Sequence, residues 1–571
     1  MTPPSHDVAI IGTGFAGSLI AQSLAEAGMN VLMLEAGLPF EDERHLRHSL
    51  RDAFAVSDEG EIFAPYSDLL APQERGRKSE YYVQDKDGAA GGFDGHYLRL
   101  VGGTGLAWLG TALRMCPNDF RMRTEYGRGR DWPISYADLE PWYCAAEREI
   151  GVAGTEEADA SLRSSRSQPF PMPPIPQSYA DRYAEDRIDG LRFGSSDIRI
   201  VPTPQARNSV DGYNGRPLCE GYASCVPLCP AGAKYDPLVH LRRALLAGAE
   251  LYAGTVVIHL ETTEDGRVAK AWFLDPDGNA GSVAARVFVL AANGIETPKL
   301  LLQSNHRFPQ GLANESGQVG RNLMDHAEKH SCALVPDPIF PYRGPQSTSG
   351  IEMLRDGAFR KDRSAFRTAL RNDGWRNVNG APSGNPQASR MLEGTLLDLV
   401  GNRNLSGLRL RRKIEEMGVR QFALQSVLEM LPDPENRISL STAEKDALGL
   451  PRPDIRFSID RYTRDGIEVA AGLHRKIFQR LGCASETVFV DLQPDPTGSD
   501  AGGSHIMGTT IMGTDPRASV VDPHCRAHAH GNLFIGGSSV FPTGGTSNPT
   551  LTICALALRI AHTVTERMQT I

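Results

Sequence analysis

No stretch of the chain reaches the ~18 consecutive apolar residues that a membrane helix needs, so no spanning segment is expected. Positive charge is not in excess. The 60 Lys and Arg stand against 69 Asp and Glu, a formal net charge of −9, which argues against a nucleic-acid-binding face or a patch for anionic membranes. Cysteine is scarce, with nine in 571 residues, and a disulfide framework is not expected. Internal repeats, coiled-coil heptads and low-complexity tails are absent. The opening Met1–Asp7 has neither the charged n-region nor the apolar h-region of a secretory signal. A cytoplasmic location is the resulting expectation, with export on a partner's signal left open.

What is present is glycine and proline, 58 and 38 of them, which implies many tight turns and places where backbone approaches a ligand. A length of 571 residues exceeds one ordinary core and implies two domains, or one interrupted by another. Asp7 to Ile11 reads as a buried strand, Gly12 to Gly17 as a glycine turn, Ser18 to Ala27 as a helix stopped by Gly28, and Asn30 to Leu34 as the next strand. This βαβ unit gives the run Gly12-Thr13-Gly14-Phe15-Ala16-Gly17 its meaning. Gly12 permits the tight turn, Gly14 lets backbone approach a pyrophosphate, and Gly17 lets helix and strand pack closely. The helix N-terminus offers free N–H groups and a positive dipole end. Glu35, at the end of the second strand, suits ribose hydroxyls and disfavours a 2′-phosphate, so a dinucleotide other than NADP is expected. The motif alone does not separate FAD from NAD.

Further strands are expected over Leu251 to Leu274, turning at Asp265-Gly266, and over Ala285 to Ala292, followed by a helix through Leu302. Strand-like runs at Gln421 to Met430 and Arg437 to Ser441 alternate with charged helices, and a last helix runs from Thr550 to Thr565. Near the C-terminus His505 sits in a glycine-rich loop, and Asn548 precedes Pro549, which suits a first helical position. Asn548 is therefore expected at a helix N-cap. A neutral His can take the proton of a carbinol as its hydride leaves, and an adjacent Asn can orient the hydroxyl. A lone His is more often structural, and Asn-Pro is common at caps, so both readings stand on these residues alone.

The glycine motif with Glu35, together with Val101-Gly102-Gly103-Thr104-Gly105, Val289 to Pro298, Gly320 to His326 and Asn532 to Thr552, resembles the glucose–methanol–choline (GMC) oxidoreductase family. The segments occur in family order from residue 8 to 560. The resemblance implies an α/β chain, α+β overall: a glutathione-reductase-type, Rossmann FAD-binding domain plus an antiparallel-sheet substrate domain. It implies FAD contacts at Gly12, Gly14, Phe15, Ala16, Gly17, Glu35, Gly103, Thr104, Gly105, Val256, Ala292, Gly537, Pro549 and Thr550, with His505 and Asn548 as the catalytic pair. The likeness is nearest to the pyranose-oxidase and sugar-dehydrogenase branch. Gly536-Gly537-Ser538 replaces a stretch in which many members carry an Asp that touches the flavin ribityl chain. Ala107 occupies the slot of a His that bonds covalently to FAD in pyranose oxidases, so non-covalent FAD is expected.

The segments divide as 1–118, 201–327 and 501–571 for the FAD-binding domain, with 119–200 mixed and 328–500 the bulk of the substrate domain. Cys219, Cys225 and Cys229, three thiols in eleven residues, resemble a stretch that holds a three-iron (3Fe–4S) cluster in some sugar dehydrogenases. Their spacing is one residue longer than in those proteins, and structural thiols are the preferred reading. The expected activity is oxidation of a secondary or anomeric hydroxyl of a sugar, glycoside or cyclitol, with electrons passing to O2 or another acceptor. The alternatives are the catalytic subunit of a cluster-containing sugar dehydrogenase complex and a non-redox GMC-type lyase. The expected partners are a small polyol or sugar and the acceptor, with no nucleic acid and no membrane; an oligomer is left open.

Overall fold

The apolar runs that flank the first glycine motif form β1 (His6–Ile11), α1 (Phe15–Glu26) and β2 (Val31–Glu35). The computed structural model describes residues 5–38, 82–84, 93, 95, 97–157, 162, 164–221, 225, 229, 231–341, 343–372, 398–485 and 504–569. Gly12 turns the chain at φ +101°, a region that side chains resist. Behind it, a Cβ on Gly17 would stand 1.9 Å from the Gly12 carbonyl oxygen, so helix and turn are pressed together as only glycine allows.

In chain order there follow α2 (Tyr136–Ile150), α3 (Leu238–Leu246), β3 (Glu250–Ala253), β4 (Val256–Thr262), β5 (Val268–Leu274), β6 (Ala280–Leu290) and α4 (Asn293–Gln303). Strands β3, β2, β1 and β6 lie side by side and parallel, with Val8 opposite both Val31 and Val287. Val8–Ile10 and Val31–Met33 are fully buried, as a parallel sheet covered on both faces requires. The first part of β6 pairs instead with β5, antiparallel, and β5 with β4.

The chain continues as β7 (Ala327–Leu334), β8 (Ser349–Ile351), β9 (Phe366–Arg371), β10 (Gln421–Leu428), α5 (Arg461–Arg480), β11 (Leu533–Ile535) and α6 (Thr550–Gln569). Strand β11 returns to the parallel sheet beside the end of β6, and α6 packs on α1 and α2. The parallel sheet therefore draws on three separated stretches of chain. The second sheet is antiparallel, in the order β7–β10–β9–β8 followed by the short strand Val201–Pro202. Its side chains alternate. Phe366, Leu370, Leu424 and Leu428 face the core under α5, where His474 bridges the Ser426 and Ser331 hydroxyls at 2.8 and 2.7 Å. The opposite face, with Arg367, Ala369, Arg371, Gln425 and Val427, borders a cleft that runs to the glycine turn.

Candidate active site

The cleft begins where β1 ends. Gly12, Gly14, Phe15, Ala16 and Glu35 line it, while Gly17 lies behind the turn and does not reach it. Gly14 caps α1 without a side-chain hydrogen bond, no acidic residue occupies the first turn, and a Cβ on Gly14 would meet nothing within 4 Å. The open N–H groups and the empty space above Gly14 make the concavity a pyrophosphate needs. Glu35 Oε2 accepts from the Thr13 N–H at 2.9 Å and the Thr13 hydroxyl at 2.8 Å, and Oε1 accepts from the Gly37 N–H at 2.7 Å. The Thr13 hydroxyl oxygen in turn accepts from the Gly102 N–H at 3.0 Å, which joins the two glycine segments. Burial pushes the Glu35 carboxyl up, and the bonds from Gly37 and Thr13 pull it back. Oε1, with one bond accepted, keeps lone-pair capacity for a ribose hydroxyl, while Thr13 occupies both lone pairs of Oε2. Gly103, Thr104, Gly105, Ala107, Val256, Ala292, Gly537, Pro549 and Thr550 continue the same wall. These residues fit FAD.

The same cleft is lined by His505 and Asn548. The His505 loop is pinned from several sides. Its N–H donates to Asp325 Oδ1 at 2.7 Å, the Ser538 hydroxyl donates to the Ile506 carbonyl at 2.5 Å, and the Thr509 hydroxyl donates to the Gly294 carbonyl at 2.7 Å. Asn548 Nδ2 lies 3.0 Å from His505 Nε2, and Asn548 Oδ1 is buried with no partner among the described residues. The expectation that Asn548 caps the last helix is corrected. Helix α6 starts at Thr550, and the Pro549 carbonyl takes the first helical bond, from the Ile553 N–H at 2.9 Å. Asn548 stands one residue outside, and its amide is free to turn to His505.

Sequence reasoning missed the group behind this pair. His326 Nδ1 lies 2.8 Å from His505 Nδ1, and His326 Nε2 lies 2.9 Å from the Gly545 carbonyl oxygen. Asp325 Oδ1 also accepts the His326 N–H at 2.7 Å, so one carboxylate clamps both histidine-bearing loops. The only signal was the Asp325-His326 end of a family-like segment, with nothing to connect it to a loop 179 residues away. Burial pushes His505 down to about 4, with Glu328 opposing and Arg367 assisting. Burial and the nearby His505 push His326 down to about 3, and burial pushes Asp325 up to about 7. Both imidazoles are neutral at neutral pH.

The antiparallel sheet supplies a polar face opposite. Burial pushes Glu328 up, but His330 at 2.7 Å, His505 and Gln425 outweigh it and hold the carboxyl down at about 2. Arg371 Nη1 donates to Gln425 Oε1 at 2.8 Å, and Arg367 is tied back to Glu352 at 3.1 Å. The two-residue alternation of these strands is visible in the sequence; which face meets the cleft is not.

Cys219, Cys225 and Cys229 are not joined in disulfides, and Cys225 lies on a segment beside the cleft. Buried Lys234 ties it to the cleft wall, its Nζ donating to the Cys225 carbonyl at 2.8 Å and the Leu106 carbonyl at 3.1 Å. Among the described residues no group of three or more His, Cys, Asp or Glu is arranged to hold a metal ion. No helix among them is long and apolar enough to cross a membrane.

Models of GMC oxidoreductases match residues 205–328 and 432–557. The chain is 36% identical to the fructose dehydrogenase large subunit of Gluconobacter japonicus, over 98% of both chains. It is 29% identical to 6'''-hydroxyparomomycin C oxidase of Streptomyces lividus, over 98% of this chain and 92% of that one. Among solved structures, pyridoxine 4-oxidase from Mesorbium loti superposes with a TM-score of 0.60 at 18% identity, over 98% of this chain and 99% of that one, which shows a shared fold.

Proposed function

The chain belongs to the GMC oxidoreductase family, FAD-dependent enzymes that act on CH–OH groups, and from that premise we propose that it oxidises a hydroxyl of a sugar, glycoside or cyclitol to the carbonyl. The carrying observation is the His505–Asn548 contact in the same cleft that the glycine cradle lines. Gly12, Gly14, Phe15 and Ala16 hold the pyrophosphate, Glu35 a ribose, and Gly103, Thr104, Gly105, Val256, Ala292, Gly537, Pro549 and Thr550 the remainder, while Gly17 packs behind them. When bound, FAD supplies the hydride acceptor, and electrons pass on to O2 or another acceptor.

His505 Nε2 takes the hydroxyl proton as the carbinol hydrogen leaves. Asn548 Nδ2 donates to the same oxygen and holds it in place. Glu328, Gln425 and Arg371 meet the neighbouring hydroxyls, for which a face of mixed donors and acceptors is suited. In this reading residues 1–118, 201–327 and 501–571 form the FAD-binding domain, and 328–500 with much of 119–200 form the substrate domain. The test is an anaerobic screen of sugars, glycosides and cyclitols, starting with fructose, in which the flavin absorbance bleaches. If no member of the panel reduces the flavin, the substrate class is wrong.

Three further outcomes are expected. Acid or heat should release the flavin, since Ala107 offers no nucleophile; colour that stays with the precipitate would refute non-covalent binding. Flavin reduction should be flat across neutral pH and fall in acid as His505, held at about 4, takes a proton. A fall beginning near pH 6.5, the ordinary imidazole range, would show that the base is not held down. We read Cys219, Cys225 and Cys229 as structural thiols, so iron and acid-labile sulfide should lie well below stoichiometric after anaerobic purification. A stoichiometric content lost in Cys225→Ser would instead make the chain the catalytic subunit of a cluster-containing dehydrogenase.

A further inference from the structure

The three polar contacts behind His505 can be read as a chain of proton assignments. A carbonyl oxygen only accepts, so the 2.9 Å contact with Gly545 requires His326 Nε2 to carry a hydrogen. A neutral imidazole has one N–H, which leaves His326 Nδ1 with a lone pair. His505 Nδ1 faces it at 2.8 Å, the two rings crossing at 81°. Two lone pairs at that distance repel, so His505 Nδ1 must carry the hydrogen. His505 Nε2 is then the acceptor, which Asn548 Nδ2 meets at 3.0 Å.

We propose that His326 is a positioning residue that holds His505 in its Nδ1–H tautomer and so leaves Nε2 free to receive the substrate proton. The inference rests on the reading of His505 as the base. The charged groups around the pair are Asp325, which binds backbone N–H groups of both loops, Glu328 on β7, Arg367 on β9 and Arg355 beyond β8. Neither ring nitrogen of His326 meets a carboxylate among the described residues. A carboxylate behind His505 would set the same tautomer and raise its basicity. A neutral imidazole sets the tautomer alone. It also conducts nothing onward, because its far N–H ends on a carbonyl. The proton taken by His505 therefore leaves through the cleft.

Two substitutions separate this role from simple anchoring. In His326→Asn the amide oxygen falls near the place of Nδ1 and keeps the acceptor. In His326→Gln the longer amide reaches the place of Nε2, keeps the tie to Gly545 and leaves His505 Nδ1 without its acceptor. Anaerobic stopped-flow reduction should keep the Asn variant within about tenfold of the parent. The Gln variant should fall by about 10²-fold or more with little change in substrate Kd, given that a mis-set histidine tautomer costs up to about 10⁴-fold. A Gln variant as fast as the parent overturns the proposal. If that variant does not fold, ¹⁵N-histidine spectra of the unaltered holoenzyme decide, with His505 assigned by its loss in His505→Gln. A pyridine-type Nε2 on His505 supports the proposal, and a pyrrole-type Nε2 overturns it. Because that spectrum reads the resting enzyme, it stands even if His505→Ala reduces its flavin normally and the base lies elsewhere.

Discussion

Replacing His505 with alanine is expected to slow flavin reduction by substrate by about 10²–10⁴-fold, the usual contribution of a positioned general base. The effect should fall on the chemical step. His505 lies on a loop held by backbone contacts to Asp325 and Gly294 that do not involve its ring, so the loop should survive the truncation. FAD content should also survive, because the contacts that shape the glycine cradle and hold Glu35 do not involve His505. Reoxidation of chemically reduced flavin should change much less, since no substrate proton is involved. Asn548→Ala should be impaired in the same assay. Its helix should be spared, because Pro549 and not Asn548 accepts the first helical bond. The measurement is anaerobic stopped-flow reduction with the substrate found in the screen. A His505→Ala protein that reduces its flavin at nearly the parental rate would sink the mechanism.

The largest stability loss is expected at Arg360, which does not line the cleft. Its side chain is fully buried and bonds Asp119 Oδ1 at 2.7 Å, Asp356 Oδ1 at 3.1 Å and both oxygens of buried Glu429. Asp119 also accepts the Cys116 N–H at 2.7 Å, and its carbonyl accepts the Thr543 hydroxyl at 3.0 Å, close to Gly545 behind His326. This one cation therefore joins the substrate-side sheet, the segment before α2 and the C-terminal loop. Arg360→Met leaves Asp119 and Glu429 buried without their cation, which costs about 3–5 kcal/mol when a buried pair is broken. Thermal or denaturant unfolding monitored by protein signal and by flavin release should show it. The sign of the pH dependence follows from the same groups. Burial already pushes the Asp119 carboxyl up and Arg360 pulls it back, so removing the cation raises it further and the variant's folded state gains a proton there as pH falls. The deficit should be largest at neutral pH and shrink in acid. A loss under about 1 kcal/mol would mean that water or a neighbour replaces the guanidinium.

Much of this protein is legible in its sequence. The run from Asp7 to Glu35 carries its own period and turn chemistry, so strand, helix, strand and the glycine cradle were fixed locally, within three residues at each end. Gly12, Gly14 and Glu35 come together at the cleft because the bonds that shape the turn, from the Gly12 N–H to Leu34 and from Thr13 to Glu35, lie within about thirty residues. The residue types and setting of His505 and Asn548 suggested the chemistry, and the resemblance made them the expected catalytic pair. Only the tertiary structure decided the rest. It moved Asn548 off the helix cap and against His505, chose which alternation of β9 and β10 faces the cleft, and put His326 behind His505. The physical reason is sequence separation. A hydrogen bond across 179 residues leaves no trace in local periodicity, and a strand's two faces become inside and outside only when another element covers one of them.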